Sequence, residues 1–520
     1  MPMLFRQVCV KSARLSRAVR FLSTRKPVLT TDTINPLMRQ VEYAVRGEIP
    51  ARAHFHEHEL EEGIKRPFDS IVWTSIGNPQ QQPNLAQKPL TFWRQVAALT
   101  EYPELLELPG DVLDKTFPAD TRERAKDLLR DLGSTGSYSK SQGSDLVRQH
   151  VADFLEERDG HPENIHNIYL TSGASNGVMI LFQTLFRGGQ DGVLIPIPQY
   201  PLYSALLPLL DVEPLHYYLQ SEQHWDMSPQ DIKNQIEQAR SEGIEPRAIV
   251  VINPGNPTGA CLTIEEIQDV LRIAYDERLV IFADEVYQNN IFQNDRPFVS
   301  FRKALLDLGW SEDPKERAIS QSVELFSLHS ISKGNSGECG RRGGFFTMTN
   351  IDPGVEQQIN KLASIQLCPP TQGQIGVDML VKPPRPGQPS YELWEKETRE
   401  IHDTLQHRSE TIAKRLRDLP GMSIEPAMGA LYVFPRVTLP KKAVDAAERA
   451  GKRADVFYCL EMLDRSGVCV VPGSGFGLPL EKRPDGSCHI FFRTTILSKN
   501  TDDMVERLAK FHSDFFAEYQ

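Results

Sequence analysis

Residues 248–283 read AIVVINPGNPTGACLTIEEIQDVLRIAYDERLVIFA, and this stretch decides the fold. Its two ends, AIVVI (248–252) and LVIFA (279–283), are continuous apolar runs, typical of strands buried on both faces of a parallel sheet. The sequence between them carries an apolar stripe at helical spacing and begins with the capping-box pair Thr263 and Glu266. The order strand, helix, strand predicts a βαβ unit and therefore an α/β fold.

Polar clusters follow the predicted strands, at the strand ends where doubly wound sheets bind ligands. NPGNPTG (253–259) follows the first strand, and Asp284 with Tyr287 follows the second. TSGASNG (171–177) follows the run IYL and opens a helix. A further apolar run, VLIPI (193–197), contains a proline, which predicts a position near a sheet edge or a strand end.

TSGASNG has the features of a site for a phosphate-sized anion. Its small residues allow close backbone approach, the helix start offers free N–H groups, and Ser172 and Ser175 add hydroxyls. The pattern is neither a Walker A loop nor a GxGxxG dinucleotide motif. Taken alone, it is equally compatible with an ordinary helix N-cap.

A lysine-containing segment, HSISKGNSGECGRRGG (329–344), follows the strand-like run ELFSL (324–328). A partly desolvated lysine just past a buried strand is a candidate nucleophile for carbonyl carbon, although Lys333 could equally lie on the surface of a glycine-rich loop. A buried Asp284 needs a cationic partner or several donors, and a helix cap or a structural ion pair would also satisfy it. Tyr287 alone would most often be a core residue.

Composition limits the class of protein. The 520 residues are 40% hydrophobic and 24% charged, which is ordinary for a globular enzyme of more than one domain. A net charge of −11 argues against nucleic-acid binding, and without an apolar run of about 18 residues no membrane span is expected. The seven scattered cysteines predict reduced thiols and neither a disulfide framework nor a metal site.

The first 31 residues contain seven basic and no acidic residues, with a narrow apolar face in helical projection. This composition predicts a mitochondrial transit peptide and a matrix location, with a cytosolic form as a further possibility. A disordered basic tail is the alternative interpretation. At the other end, the Pro-rich KPPRPGQPS (382–390) predicts a linker, followed by a long helix over 391–416 and short strands in ALYVFP and HIFFRTTIL.

Pyridoxal phosphate requires a combination of groups that this sequence contains. They are a phosphate-sized anion site, an acid at a strand end, a tyrosine three residues further on, and a lysine after a later strand. Over residues 35 to 520 the chain resembles the class I aminotransferases of the fold-type I pyridoxal-phosphate enzymes. NPGNPTG, ADEVY and SISKG are marks of that class. SKGNSGECGRRGG (332–344), VVPGSGFG (470–477) and YSKSQG (138–143) resemble its alanine aminotransferase branch.

The resemblance implies a large domain, with a mainly parallel seven-stranded sheet between helices, and a smaller α+β C-terminal domain. After the transit peptide that composition predicts (1–31), the divisions are an N-terminal arm with part of the small domain (32–120), the large cofactor-binding domain (121–381) and the small domain (391–520).

The resemblance also implies a role for each matching residue. Lys333 is the Schiff-base lysine and proton carrier, and Asp284 pairs with the pyridinium nitrogen. The other residues implied to hold the cofactor are Tyr287 and Asn256 at the phenolic oxygen, Tyr200 at a ring face, and Ala174, Ser175, Ser330 and Arg342 at the phosphate. The phosphate arginine of the family motif is followed directly by glycines, which selects Arg342. Arg341 stands where the branch usually has an aromatic residue, and it is interpreted as an exposed structural charge. Asn335 and Ser336 replace bulkier residues.

Substrate contacts and assembly follow from the same resemblance. Arg493 would grip the substrate α-carboxylate through a bidentate fork, with Gly77 and Asn256 beside the substrate. Tyr138 would reach the phosphate of a neighbouring subunit, which implies a homodimer.

The implied reaction is ping-pong transfer of an amino group from L-alanine to 2-oxoglutarate, giving pyruvate and L-glutamate. Other class I activities share the cofactor residues: an aromatic, kynurenine or broad-specificity aminotransferase, or a lyase of the aminocyclopropane-carboxylate type. A non-catalytic cofactor-binding regulator is a further alternative. It would be expected to have lost Lys333, Asp284 or Arg493, or to carry a DNA-binding domain, whereas all three residues are present.

Overall fold

The structure is a computed structural model, and it describes residues 28–41, 43, 47–80 and 87–520. The predicted transit peptide lies outside the described residues as far as position 27. Residues 28–41 belong to a separate small unit, in which a 3-10 helix, Pro36–Gln40, is capped by the Asn35 side chain. A second, much larger unit comprises residues 43–520.

The α-helices of this unit are α1 (Glu48–Glu61), α2 (Thr91–Glu101), α3 (Gly110–Thr116), α4 (Ala119–Leu132), α5 (Asp145–Asp159), α6 (Ala174–Leu185), α7 (Leu202–Leu210), α8 (Pro229–Ser241), α9 (Ile264–Glu277), α10 (Phe301–Asp307), α11 (Pro314–Ser322), α12 (Pro353–Ile365), α13 (Thr371–Val381), α14 (Tyr391–Leu416), α15 (Lys441–Arg449), α16 (Ala454–Ser466) and α17 (Thr501–Tyr519). Short 3-10 helices span Pro103–Glu107, Ile165–Asn167, Ser221–Gln223, Leu308–Trp310, Cys339–Arg341 and Gly473–Phe476.

The strands are β1 (Val72–Trp73), β2 (Ile168–Thr171), β3 (Asp191–Ile197), β4 (Glu213–Tyr218), β5 (Glu245–Ile252), β6 (Val280–Asp284), β7 (Leu325–Ser330), β8 (Gly344–Thr349), β9 (Met422–Ser423), β10 (Tyr432–Val433), β11 (Arg436–Leu439), β12 (Val468–Cys469), β13 (Val471–Pro472), β14 (Glu481–Lys482) and β15 (Cys488–Thr495). A seven-stranded sheet has the order β2-β8-β7-β6-β5-β3-β4, in which β8 alone runs against its neighbours. The prediction of a mainly parallel seven-stranded sheet is therefore confirmed.

The stretch 248–283 forms the predicted βαβ unit as β5, α9 and β6. Its strands are buried on both faces, because Ile249 packs in the core on one side of the sheet and Val250 in the core on the other. The capping box is confirmed: Thr263 Oγ accepts the Glu266 amide, and the Glu266 carboxylate accepts the Thr263 amide at 2.8 Å. Pro196, in VLIPI, lies next to the last residue of β3, as its position in the run predicts.

The C-terminal residues form a second sheet around β15, which pairs antiparallel with β10, β11, β13 and β14. The predicted long helix is α14, and the predicted linker 382–390 separates it from α13. Part of the N-terminal region joins this second core: β1 pairs parallel with β12, and Ile49 and Phe68 pack among its apolar side chains. Helix α2, by contrast, shares its core with residues of the large sheet. The domain limits at 120, 381 and 391 stay predictions.

The six cysteines within the described stretches are free thiols. The same stretches contain no cluster of three or more metal-ligating side chains. No helix in that part of the chain is long and apolar enough to cross a bilayer.

Candidate active site

The carboxyl ends of β2, β5, β6 and β7 lie at one edge of the large sheet, since these strands run in the same direction. A cavity of about 280 Å³ opens at this edge. Eleven of the twelve residues predicted for the site line it: Gly77, Ala174, Ser175, Tyr200, Asn256, Asp284, Tyr287, Ser330, Lys333, Arg342 and Arg493. The twelfth, Tyr138, does not line the cavity and is 79% exposed.

One end of the cavity has the chemistry of an anion site. Helix α6 begins at Ala174, directly after β2, so its first amides lack partners within the helix. Arg342 Nη2 donates to the Ser172 carbonyl at 3.2 Å and lies 3.4 Å from Ser175 Oγ. Gly173 permits this approach, because a Cβ built there would lie 2.4 Å from Arg342 Nη2. Free amides, a hydroxyl and a guanidinium therefore converge at one point.

The two adjacent arginines face different surroundings. Arg342 lines the cavity, whereas Arg341 donates from Nε to the Glu338 carboxylate at 3.0 Å. The interpretation of Arg341 as a structural charge agrees with this contact, but its description as exposed was wrong. Its side chain is only 20% exposed, because it is paired with the buried Glu338. Glu338 also forms an ion pair with Arg94.

Asp284 ends β6 and is 5% exposed. Tyr203 Oη donates to its Oδ2 at 2.7 Å, and the Val286 amide lies 3.4 Å from Oδ1. Burial raises the pKa of the Asp284 carboxyl, and the Tyr203 hydroxyl and the Lys333 charge offset this only in part. A carboxyl so placed would be stabilised in its ionised form by a cationic N–H group entering the cavity.

Lys333 projects into the cavity from a loop that is tied down at several points. Its Nζ donates to the Gly77 carbonyl at 2.9 Å. The following amide, of Gly334, donates to Asn290 Oδ1 at 2.8 Å. Ser336 is buried and its Oγ donates within the turn, 2.9 Å from the carbonyls of Ile331 and of Lys333. A small side chain at 336 therefore closes the turn that presents the lysine.

A chain of hydroxyl, amide and guanidinium groups also lines the cavity. Asn256 Nδ2 lies 3.4 Å from Tyr287 Oη, which in turn donates to Tyr432 Oη at 3.2 Å. Arg493 Nη1 donates to Asn256 Oδ1 at 2.8 Å, and its guanidinium carbon lies 4.1 Å from the Tyr432 ring centroid. Burial raises the pKa of Tyr287. Although burial acts the same way on Tyr432, the charges of Lys333 and Arg493 lower the pKa of that hydroxyl.

Arg493 is only 2% exposed, and among the described residues its Nε has no hydrogen-bond acceptor. Its Nη2 donates to the Ser75 carbonyl at 2.5 Å. A buried guanidinium that lines a cavity with an N–H unsatisfied fits a ligand carboxylate.

Motif reasoning did not identify several tyrosines of the cavity or its wall. Tyr203 Oη donates to Asp284, the Tyr432 hydroxyl is close enough to Lys333 and Arg493 for both charges to act on it, and Tyr43 Oη lies 3.1 Å from Tyr200 Oη. The run QYPLY (199–203) contained the first of these, three residues after the predicted Tyr200. The apolar run around Tyr432 and the isolated Tyr43 gave no signal of a site.

The residues present fit pyridoxal phosphate. The anion site suits its phosphate, the buried Asp284 carboxyl suits its ring nitrogen, and the Lys333 amine suits its aldehyde. Glycines also keep space open in this cavity. A Cβ at Gly77 would lie 2.2 Å from Tyr432 Oη and 3.3 Å from Lys333 Nζ, so the absence of side chains at Gly77 and Gly173 is consistent with a planar molecule bound there.

Fold and site together define the class of protein. The profile of the family described as aminotransferase class I and II matches residues 108–511, and the chain belongs to that family. It is an aminotransferase, and membership implies pyridoxal phosphate as cofactor.

Similar proteins are more specific. A Dictyostelium discoideum protein named probable alanine aminotransferase, mitochondrial, is 43% identical over 96% of this chain and 91% of its own length. An Arabidopsis thaliana protein named glutamate–glyoxylate aminotransferase 2 is also 43% identical, over 94% of this chain and 97% of its own. The solved structure of an alanine aminotransferase from Pyrococcus furiosus shares the fold, with a TM-score of 0.67, 22% identity and coverage of 92% and 99% of the two chains.

Proposed function

We propose that the protein transfers an amino group from L-alanine to 2-oxoglutarate, in a ping-pong reaction that uses pyridoxal phosphate. The observation that carries the proposal is the pairing, in one cavity, of the Lys333 amine with the buried and incompletely bonded Arg493 guanidinium. The first suits the carbonyl of a cofactor, and the second suits the α-carboxylate shared by every amino acid and 2-oxo acid. The choice of alanine is supported by the name of the Dictyostelium relative.

The cofactor would be held at four places. Arg342, Ser175, Ser330 and the first amides of α6 would bind its phosphate; Asp284 its ring nitrogen; Asn256 and Tyr287 its ring hydroxyl oxygen; and Tyr200 one ring face. When bound, pyridoxal phosphate supplies an electron sink that stabilises negative charge at the substrate α-carbon. Tyr203 would act behind it, because its hydroxyl fixes the orientation of the Asp284 carboxylate.

The chain's own residues then have distinct tasks. Arg493 fixes the substrate by its carboxylate, so that the α-hydrogen faces Lys333. The Lys333 amine, once free, removes that proton as a general base and afterwards serves as the acid. Tyr432 contributes a ring that packs against the Arg493 guanidinium, and a hydroxyl whose pKa the charges of Lys333 and Arg493 lower against the effect of burial.

A second acceptor follows from the Arabidopsis relative, whose name specifies glyoxylate and whose identity equals that of the Dictyostelium protein. Glyoxylate and pyruvate differ by one methyl group, and a pocket distinguishes substrates by a single carbon only weakly. Glyoxylate as an amino-group acceptor is therefore part of the test.

The test is a half-reaction assay of the purified holoenzyme, which follows the cofactor absorbance after each amino acid or oxo acid is added alone. We expect alanine and glutamate to react at least about tenfold faster than aspartate or the aromatic amino acids. Pyruvate, 2-oxoglutarate and glyoxylate are compared as acceptors. A faster reaction with an aromatic donor would replace alanine in the proposal, and preference for glyoxylate over pyruvate would support the second acceptor.

The two adjacent arginines provide a test of the phosphate site. Arg342→Ala should weaken pyridoxal-phosphate binding about 10- to 100-fold, because a hydrogen bond from a charged donor contributes about 1.5–3 kcal/mol. Arg341→Ala is the matched control, since its charge is paired with Glu338 outside the cavity. The measurement is the cofactor Kd of each apoenzyme by fluorescence titration. A larger loss in the Arg341 variant would assign the phosphate to the other arginine.

A homodimer is also proposed. Tyr138 is a large side chain that is 79% exposed in the single chain, in the segment YSKSQG implied to reach a neighbouring phosphate site. Sedimentation equilibrium of the holoenzyme would give the mass of two chains. A monomer with full activity would exclude this role for Tyr138.

A mitochondrial location is proposed from the basic, acid-free residues 1–31 and from the name of the Dictyostelium relative. A fusion of residues 1–35 to a fluorescent reporter should enter mitochondria. A reporter that stays in the cytosol would contradict the transit peptide.

A further inference from the structure

Four polar side chains form a hydrogen-bonded chain outside the cavity. Lys382 follows α13, Asp378 lies in its last turn, His150 lies in α5 and Arg124 in α4. Lys382 Nζ lies 2.7 Å from His150 Nε2, and His150 Nδ1 lies 2.5 Å from Asp378 Oδ1. Arg124 Nη1 completes the chain, since it donates at 2.8 Å both to Asp378 Oδ2 and to the Lys382 carbonyl.

These contacts fix the protonation pattern of the histidine. Burial opposes ionisation of Asp378, but its bonds to His150 and Arg124 prevail and lower the pKa of the carboxyl. An ionised carboxylate only accepts, so His150 Nδ1 carries a proton and donates it. In neutral His150, Nε2 therefore faces the lysine as an acceptor. The order amine, imidazole, carboxylate is the arrangement that activates a nucleophile in hydrolytic triads, with lysine in the place of serine.

We propose that Lys382 is a nucleophilic lysine whose Nζ accepts acyl groups from small acyl thioesters, with His150 as its general base. Nζ attacks the thioester carbonyl carbon, a C–N bond forms and the C–S bond breaks. The proton leaving Nζ passes to His150 Nε2 and then to the thiolate that departs. Asp378 is a positioning residue, which orients the imidazole and stabilises it while it carries the extra proton.

The surroundings of Lys382 favour its unprotonated form. Burial, followed by the charge of Arg124, lowers the pKa of the Lys382 amine, against the opposing effects of Asp378, Asp153 and Asp127. The residue is only partly buried, as a lysine that reacts with a small acyl donor must be. A matched lysine exists in the same chain: Lys361 is exposed, and its Nζ bonds the amide oxygen of Gln358 at 3.1 Å.

The first experiment needs no variant. The holoenzyme is incubated with acetyl-coenzyme A over a range of pH, and acetylation of Lys382 and Lys361 is quantified by peptide mass spectrometry. At neutral pH we expect Lys382 to react at least about tenfold faster, since a positioned general base contributes about 10²–10⁴-fold. Its rate should also reach its plateau at a lower pH than that of Lys361. Equal rates, or coincident pH profiles, would overturn the proposal.

The second experiment removes the base. His150→Gln should lower the ratio of Lys382 to Lys361 acetylation at least about tenfold, with the exposed His166 as the matched control in His166→Gln. The ratio is internal to each molecule, so a difference in protein concentration does not change it. An unchanged ratio in His150→Gln, with thermal unfolding like that of the control, would show that His150 takes no proton. Should His150→Gln fail to fold, the wild-type pH profiles decide.

Discussion

We expect the Lys333→Ala variant to lose transamination by more than about 10⁴-fold, the upper range for removing a single general acid–base group. Among the described residues that line the cavity, Lys333 is the only lysine, so no neighbouring amine can replace it. The steady-state rate with alanine and 2-oxoglutarate measures the loss. The absorbance spectrum of the purified protein should also lack the band of cofactor linked covalently to the chain, and dialysis should remove the cofactor.

Two further variants distinguish the loss of the reactive amine from the loss of its positive charge and from an unspecific effect of substituting a lysine. Lys333→Arg retains a positive charge, but a guanidinium stays protonated and cannot act as a nucleophile or a base. We therefore expect this variant to be as inactive as the alanine variant. Lys361→Ala changes an exposed lysine on α12 and should keep wild-type activity. Turnover of Lys333→Ala within about tenfold of wild type would contradict the role of the amine.

Asp284→Asn should lower kcat by about 10²–10³-fold, the usual effect of removing one preorganised electrostatic contact. Asparagine keeps the shape and can still accept from Tyr203, but it has no charge to hold a protonated ring nitrogen. Because Arg342, Ser175 and Lys333 remain, cofactor should still bind. Single-turnover kinetics with alanine would measure the loss, and cofactor content would be measured by absorbance.

The neighbouring acid offers a matched control for Asp284. Glu285 is equally buried, but its Oε1 accepts the Phe301 amide at 2.8 Å, and it does not line the cavity. Glu285→Gln removes a carboxyl that burial holds at a pKa of about 7, and we expect single-turnover rates near those of wild type. Equal losses in both variants would indicate that buried charge near β6 matters only for stability.

The βαβ unit and part of the site could be predicted from local patterns, whereas the seven-stranded sheet, Tyr200 and Arg493 were predicted only from the resemblance to the class I aminotransferases. AIVVI and LVIFA indicate strands by composition alone, and the polar residues directly after them lie at the same sheet edge by the geometry of parallel strands. Asp284 and Lys333 could therefore be placed in one cavity without knowledge of any long-range contact.

The parts that were missed depend on contacts between distant segments. Tyr432 comes from a two-residue strand of the second sheet, and its approach to Lys333 depends on how the two sheets pack. The pairing of β1 with β12 involves two residues on each side, which is too short to give a pattern. The ion pair between Glu338 and Arg94 of α2 likewise joins segments that are far apart in the sequence.

The antiparallel strand β8 has a consequence for folding. It pairs with β2, placing Thr171 opposite Gly344, so the anion site joins Arg342 and Ser172, which are 170 positions apart. Contacts of such high sequence separation form slowly, because a long loop must close first. Cofactor should therefore bind only chains whose sheet is complete from β2 to β7, and by mass action it would stabilise that late-formed state. Cofactor binding would then distinguish fully folded chains from incompletely folded ones, and we expect the apoenzyme to be degraded by proteases more readily than the holoenzyme.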